Sequence, residues 1–136
     1  MANVDITKLH ILVVDDEVFI RNLLVRYLEE IETGKISSAS DGSTALAALQ
    51  RAEPKVDVIL LDLEMPRVDG YEFIKRLQSD LSPPLSNTPV IVVSGVSNKS
   101  SFDRIRELGV GLFLMKPVTP EHLVTRINAA MRQRAK

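Results

Sequence analysis

Five short apolar runs, each followed by a segment of helical periodicity or by the chain's end helix, leave this sequence few folds to choose from. Residues 9–14 read Leu-His-Ile-Leu-Val-Val, a strand. Ile20, Leu23, Leu24, Tyr27, Leu28 and Ile31 then recur on one helical face, with Gly34 expected to stop that helix. A weak strand at 36–39 leads through Asp41-Gly42-Ser43 into an Ala/Leu helix ending near Ala52. Residues 56–61 form a third strand, and Phe73, Ile74 and Leu77 mark a third helix. The proline-rich stretch 79–89 is a loop, and a fourth strand covers 88–93. Phe102, Ile105 and Leu108 define a fourth helix closed by Gly109, and 111–115 is the fifth strand. Thr119 as cap, Pro120 at the first helical position and Glu121 beside the dipole start a fifth helix, whose apolar face is Leu123, Val124, Ile127, Ala130 and Met131. Strands one, three and four are apolar almost throughout rather than alternating, as strands buried on both faces are. The expectation is an α/β fold: a doubly wound, five-stranded parallel sheet with five helices.

With 136 residues, the chain is expected to be one domain over 1–136, its core about 9–131, without linker or repeat. Seventeen basic against eighteen acidic residues, a net charge of −1, provide no electrostatic footprint for nucleic acid or an anionic membrane. No cysteine is present, which removes disulfides and thiolate metal sites. The longest apolar runs fall far short of the roughly 20 residues of a membrane-spanning helix. The amino terminus has no signal-peptide pattern, so a soluble, cytoplasmic location is expected.

In an open parallel sheet the functional crevice lies at the carboxyl ends of the strands. Those ends place Asp15 and Asp16 after strand one, Asp62 after strand three, Ser94 after strand four and Lys116 after strand five. Three carboxylates brought together repel one another, so a cation is expected among them. The all-oxygen set points to a hard ion, and Mg²⁺ fits best because it keeps waters and shares carboxylates with phosphate oxygens. His10 and His122 lie elsewhere, and zinc has no ligand set. One carboxylate can then act as nucleophile toward a phosphoryl group whose charge the metal and Lys116 shield. Taken singly, each residue has an ordinary explanation: Asp16 and Glu17 as helix-start charges, Asp62 as a turn residue, Lys116 as an exposed lysine. Their joint occurrence at four strand ends favours a site. His10 is expected to be a strand residue without a ligand role, and Arg132, Arg134 and Lys136 a solvated helix end.

Ile11-Leu12-Val13-Val14-Asp15-Asp16-Glu17, Asp62 followed by Met65-Pro66-x-x-Asp69-Gly70, Ser94-Gly95 and Lys116-Pro117 together resemble the signature of response-regulator receiver domains. Ala39-Ser40-Asp41-Gly42-x-x-Ala45-Leu46 resembles the family's second strand–helix junction. The resemblance implies a flavodoxin-like sheet of order 2-1-3-4-5 and a two-component, phosphorelay function controlled by phosphorylation of Asp62. It implies Mg²⁺ bound by Asp15, Asp16, Asp62 and the backbone carbonyl of Glu64. Ser94 and Lys116 would bond the phosphate, and Phe113 would be the aromatic that changes rotamer. The phosphoryl donor would be a histidine kinase or histidine phosphotransfer protein. The output would be a downstream effector, or a second copy of the chain, docking on the face of helix four, strand five and helix five, near Phe113, Arg104 and Arg126. The chain would be a phosphoacceptor catalysing only its own phosphorylation and dephosphorylation, with no direct nucleic-acid or membrane contact. Lys116–Pro117 is expected to be cis.

Two other functions fit the sheet less well. An aspartyl-phosphate phosphatase places a second Asp two residues after its nucleophile, where this chain has Glu64, and it needs a cap that is absent here. A nucleotide or flavin binder needs a glycine- or hydroxyl-rich first loop, and Asp15-Asp16-Glu17 is the opposite chemistry. A receiver that is part of a larger protein fits equally well.

Overall fold

The computed structural model describes residues 5–63, 70–95 and 99–134. Five strands, β1 (His10–Val14), β2 (Lys35–Ala39), β3 (Val58–Asp62), β4 (Val90–Ser94) and β5 (Leu112–Met115), alternate with α1 (Val18–Glu30), α2 (Gly42–Arg51), α3 (Gly70–Asp80), α4 (Lys99–Glu107) and α5 (Pro120–Arg134). All strand pairs are parallel, and the order is β2-β1-β3-β4-β5, as expected. Every residue of β1, β3 and β4 is buried.

Side chains alternate between the two faces of each strand, and the core divides accordingly. Leu12, Val14, Ile59, Leu61 and Val92 pack with Ala45 and Leu49 of α2, Phe73, Ile74 and Leu77 of α3 and Ile105 of α4. Ile11, Val13, Val58, Leu60, Ile91 and Val93 pack on the other side with Leu24 and Leu28 of α1 and Leu123, Ile127, Ala130 and Met131 of α5. Each large side chain so buried contributes about 1.5–3 kcal/mol, which makes the three central strands the rigid part of the molecule.

The edges of several elements differ from the sequence reading, each for a local reason. β3 begins at Val58 rather than 56, because Asp57 meets β1 partly through its side chain: Asp57 N donates to His10 O (2.8 Å) while His10 N donates to Asp57 Oδ2 (2.8 Å). β4 begins at Val90, since Thr88 turns back to Leu85 O through both its N–H (3.1 Å) and its hydroxyl (2.7 Å). β3 and β4 also run one residue further than expected, taking in Asp62 and Ser94. Gly34 does not terminate α1. The helix ends at Glu30 with Ile31 as its cap, the left-handed residue after it is Glu32 (φ 60°), and Gly34 is needed for close approach, because a Cβ there would lie 2.8 Å from the carbonyl oxygens of Thr7 and Leu9. Lys116–Pro117 is cis, as are Glu53–Pro54 and Pro83–Pro84.

His10 is a strand residue, as expected, and it is buried and bonded, with Nδ1 2.7 Å from Pro54 O and Nε2 2.7 Å from Ser37 Oγ. Arg134 departs from expectation. It is not merely a solvated helix end: its Nη1 donates to Asp57 Oδ1 at 2.8 Å, pinning the last turn of α5 to the amino-terminal edge of the sheet. The partner is remote in sequence, so helical periodicity carries no sign of it.

The two ends of this tie are unequal. Both side chains are partly exposed (44% for Arg134, 24% for Asp57), so Arg134→Ala is expected to cost only about 0.5 kcal/mol. Asp57→Ala also strips a partner from the buried His10 N–H and is expected to cost about 1–3 kcal/mol more. Urea unfolding of the two variants checks this, and equal losses would contradict it.

Candidate functional site at the carboxyl edge of the sheet

Register assembles the site. Val14 of β1 pairs with Leu61 of β3, so Asp15 emerges beside Asp62. Asp62 in turn pairs with Val93, and Ser94 with Met115, which brings Ser94 and Lys116 to the same edge. All five strand-end residues singled out in the sequence therefore converge. One ligand oxygen from each of Asp15, Asp16 and Asp62 lies within 4.8 Å of the others. Lys116 Nζ stands 3.5 Å from Asp62 Oδ1, and Lys116 N donates to Ser94 O (3.0 Å). Asp15, Asp62 and Ser94 are buried, whereas Asp16 is half-buried and Lys116 reaches in from the rim.

Asp15 is held closely. Its N–H donates to Ala39 O at the end of β2 (3.1 Å), its carbonyl accepts from Arg21 Nη1 (2.8 Å), and its Oδ1 accepts from Glu17 N (2.9 Å). Oδ2 is buried and has no hydrogen-bond partner among the described residues. Burial raises the Asp15 pKa, the neighbouring Asp16 and Glu17 add to the rise, and the Glu17 N–H and the Lys116 charge oppose it. A buried anionic oxygen left bare among like charges is costly unless a cation meets it. The donor set is all carboxylate oxygen, which suits a hard divalent ion such as Mg²⁺. Glu64, expected to add a carbonyl ligand, and the Met65-Pro66 and Asp69 part of the motif lie outside the described residues.

Gly70, which opens α3, explains one motif position. Its N–H donates to Leu63 O (2.9 Å), and a Cβ there would lie 2.9 Å from Leu63 Cα. Only glycine lets the helix start against the residue that follows Asp62. Gly95, next to Ser94, is different: a Cβ there would meet Lys116 Cδ at an ordinary 3.7 Å.

The profile of the response regulator receiver domain matches residues 11–128. The chain belongs to this family. It is 38% identical over 128 residues to the "Probable transcriptional regulator ycf27" of Porphyridium aerugineum, covering 93% of this chain and 49% of that protein. It is 36% identical over 123 residues to the transcriptional regulatory protein ResD of Bacillus subtilis, covering 90% and 48%. Among solved structures it is similar to the chemotaxis protein CheY4 of Vibrio cholerae, with a TM-score of 0.75, 30% identity, and 95% and 99% of the two chains covered. The receiver thus spans about half the length of the curated relatives it matches. It is a receiver domain of the two-component response-regulator type, a signalling module. No helix among the described residues is long and apolar enough to cross a membrane.

Beyond the pocket, Phe113 of β5 is half-buried, its ring centroid 5.0 Å from that of Phe102 of α4. Arg126 of α5 donates from Nε to Phe113 O (3.0 Å). Arg104 does not join this group: its guanidinium lies 4.0 Å over the ring of Tyr71 on α3, and Arg106 takes the place against Phe113 at 5.1 Å. Two residues along a helix turn through about 200°, so Arg104 and Arg106 face opposite sides of α4. Sequence reasoning also missed Arg21, whose target is a backbone carbonyl, and the exposed Val18 and Phe19 on the first turn of α1 beside the pocket.

The crowded carboxylates predict that the receiver gives up stability at this site. Asn at position 15 keeps an oxygen for the Glu17 N–H and offers an amide to the neighbouring carboxylates. In EDTA, Asp15→Asn is expected to stabilise the fold by about 1 kcal/mol in urea unfolding. A clear loss would mean that the cluster is not repulsive.

Proposed function

We propose that the chain works as a phosphorylation-controlled response regulator, with Asp62 as the phosphoacceptor. The observation that carries this reading is the grouping of Asp15, Asp16 and Asp62 within 4.8 Å, with the Lys116 ammonium 3.5 Å from Asp62. Asp15, Asp16, Asp62 and the Glu64 carbonyl would hold Mg²⁺, which when bound neutralises the carboxylates and shields charge on a phosphoryl group.

A carboxylate oxygen of Asp62 forms a new P–O bond as the P–N bond of a phosphohistidine breaks. The product is an acyl phosphate on Asp62, and the donor imidazole leaves neutral once it has taken up a proton. Lys116 pairs with the transferred group, and the Ser94 hydroxyl donates to it. The donor is a histidine kinase or a histidine phosphotransfer protein. The module acts on itself alone, as one domain over 1–136 in the cytoplasm, without direct nucleic-acid or membrane contact.

Phosphorylation adds close to two negative charges at the sheet edge. Two charge-assisted hydrogen bonds, from Ser94 and Lys116, supply about 3–6 kcal/mol. That is comparable with the roughly 5.5 kcal/mol needed to invert a 1:99 population. Drawing Ser94 inward opens space beside β4 for the Phe113 ring. The face of α4, β5 and α5, with Phe113, Arg106 and Arg126, then changes shape for a downstream effector or a second copy of the chain.

Incubation with acetyl phosphate and Mg²⁺ is expected to add one base-labile phosphoryl group to the wild type and none to Asp62→Ala, read by intact mass. Equal labelling of both would overturn the assignment. For the switch, beryllofluoride is expected to shift amide resonances at Phe113, Arg106 and Arg126 in the wild type, and to shift only pocket resonances in Ser94→Ala. A silent α4-β5-α5 face in the wild type would exclude this output.

A further inference from the structure

We infer that Arg21 is a positioning residue for the acidic pocket, acting through the peptide unit that joins Asp15 to Asp16. The inference rests on the reading that this pocket holds a divalent cation. Arg21 lies in the first turns of α1, and its backbone is ordinary: its N–H donates to Glu17 O at 2.9 Å. Its side chain reaches back along the chain, and Nη1 donates to the Asp15 carbonyl at 2.8 Å. That carbonyl belongs to the planar unit between the two acids, so a charge-assisted bond to it holds the plane and the Cα–Cβ directions on both sides.

The neighbouring contacts show why this one bond matters. The Asp15 N–H is fixed to Ala39 O and Oδ1 to Glu17 N, which leaves the carbonyl as the remaining point about which the junction could turn. The capping of α1 leaves that freedom open, because Glu17 at its N-cap makes no side-chain cap bond. With Arg21 in place, a carboxylate oxygen of Asp15 is held within the cluster. The inferred role of Arg21 is geometric. The Arg21 guanidinium is directed at the Asp15 carbonyl rather than at the carboxylate. Removing a nearby cation would by itself strengthen Mg²⁺ binding, so field and geometry predict opposite outcomes for the same substitution.

The test is Mg²⁺ alone, titrated calorimetrically into wild type, Arg21→Met and Arg21→Lys, with Asp62 phosphorylation by acetyl phosphate followed as a function of Mg²⁺. Met keeps the length of the side chain and loses both charge and donor, whereas Lys keeps one donor. Arg21→Met is expected to weaken Mg²⁺ binding roughly tenfold, the lower end for groups that orient metal ligands. Its phosphorylation rate is expected to recover at saturating Mg²⁺, and Arg21→Lys to fall between it and wild type. Thermal unfolding in EDTA identifies variants that retain the fold, and urea-matched Leu28→Val serves as a control for general destabilisation. Unchanged or tighter Mg²⁺ binding in Arg21→Met would overturn the inference, as would an equal loss in Leu28→Val. If the wild type itself bound no Mg²⁺, the cation reading of the pocket would fail instead.

Discussion

Parallel strands in one sheet end on the same edge, and in this protein that geometry forces three carboxylates into mutual contact range. Asp15, Asp16 and Asp62 repel one another, and burial of Asp15 makes its charge more costly still. The Asp15 carboxylate could reduce the repulsion by turning away into water, but its contacts hold it in place. β1 and β3 are buried on both faces, Asp15 is tied at its N–H, carbonyl and Oδ1, and α3 begins directly against Leu63 through Gly70. Apolar burial on the two faces of the sheet offsets the strain held at its edge. Under the proposed function, that edge is where a cation and a phosphoryl group would find preorganised partners.

The two faces carry different tasks. α1 and α5 cover one side, and α2, α3 and α4 the other. At the β5 edge these faces meet, and contact there relies on side chains: Phe102 on Phe113, Arg106 over the same ring, Arg126 on the Phe113 carbonyl, and Arg104 turned to Tyr71. Such contacts can be exchanged one for another at little cost, unlike the interdigitated core of the central strands. Under the proposed function, a charge change at Asp62 would have a nearby region able to respond without unfolding the sheet. At the opposite end, the Asp57–Arg134 pair keeps the last turn of α5 in place.

Much of this was legible in the sequence. Element order, parallel pairing and the identity of the five strand-end residues follow from local patterns: strand-sized apolar runs, helical periodicity, and polar residues placed where each run stops. Those signals survive because they depend on residues close in the chain, and a strand's burial on both faces leaves its mark in every position from Ile11 to Val14 and from Val58 to Leu61.

Tertiary structure alone decided the rest, since it depends on partners far apart in sequence. The start of β3 is set by Asp57 meeting His10, the fate of Arg134 by the same aspartate, and the need for Gly34 by carbonyls at Thr7 and Leu9 rather than by a helix end. Which arginine of α4 meets Phe113 depends on how that helix is rotated over β5, and nothing in the run Asp103-Arg104-Ile105-Arg106 distinguishes the two. Arg21 is the sharpest case. Its partner is a backbone carbonyl, which every residue possesses, so only the folded β1–α1 junction can reveal the bond. Side-chain identity determines what chemistry is available at the strand ends, and packing determines which groups hold it in place.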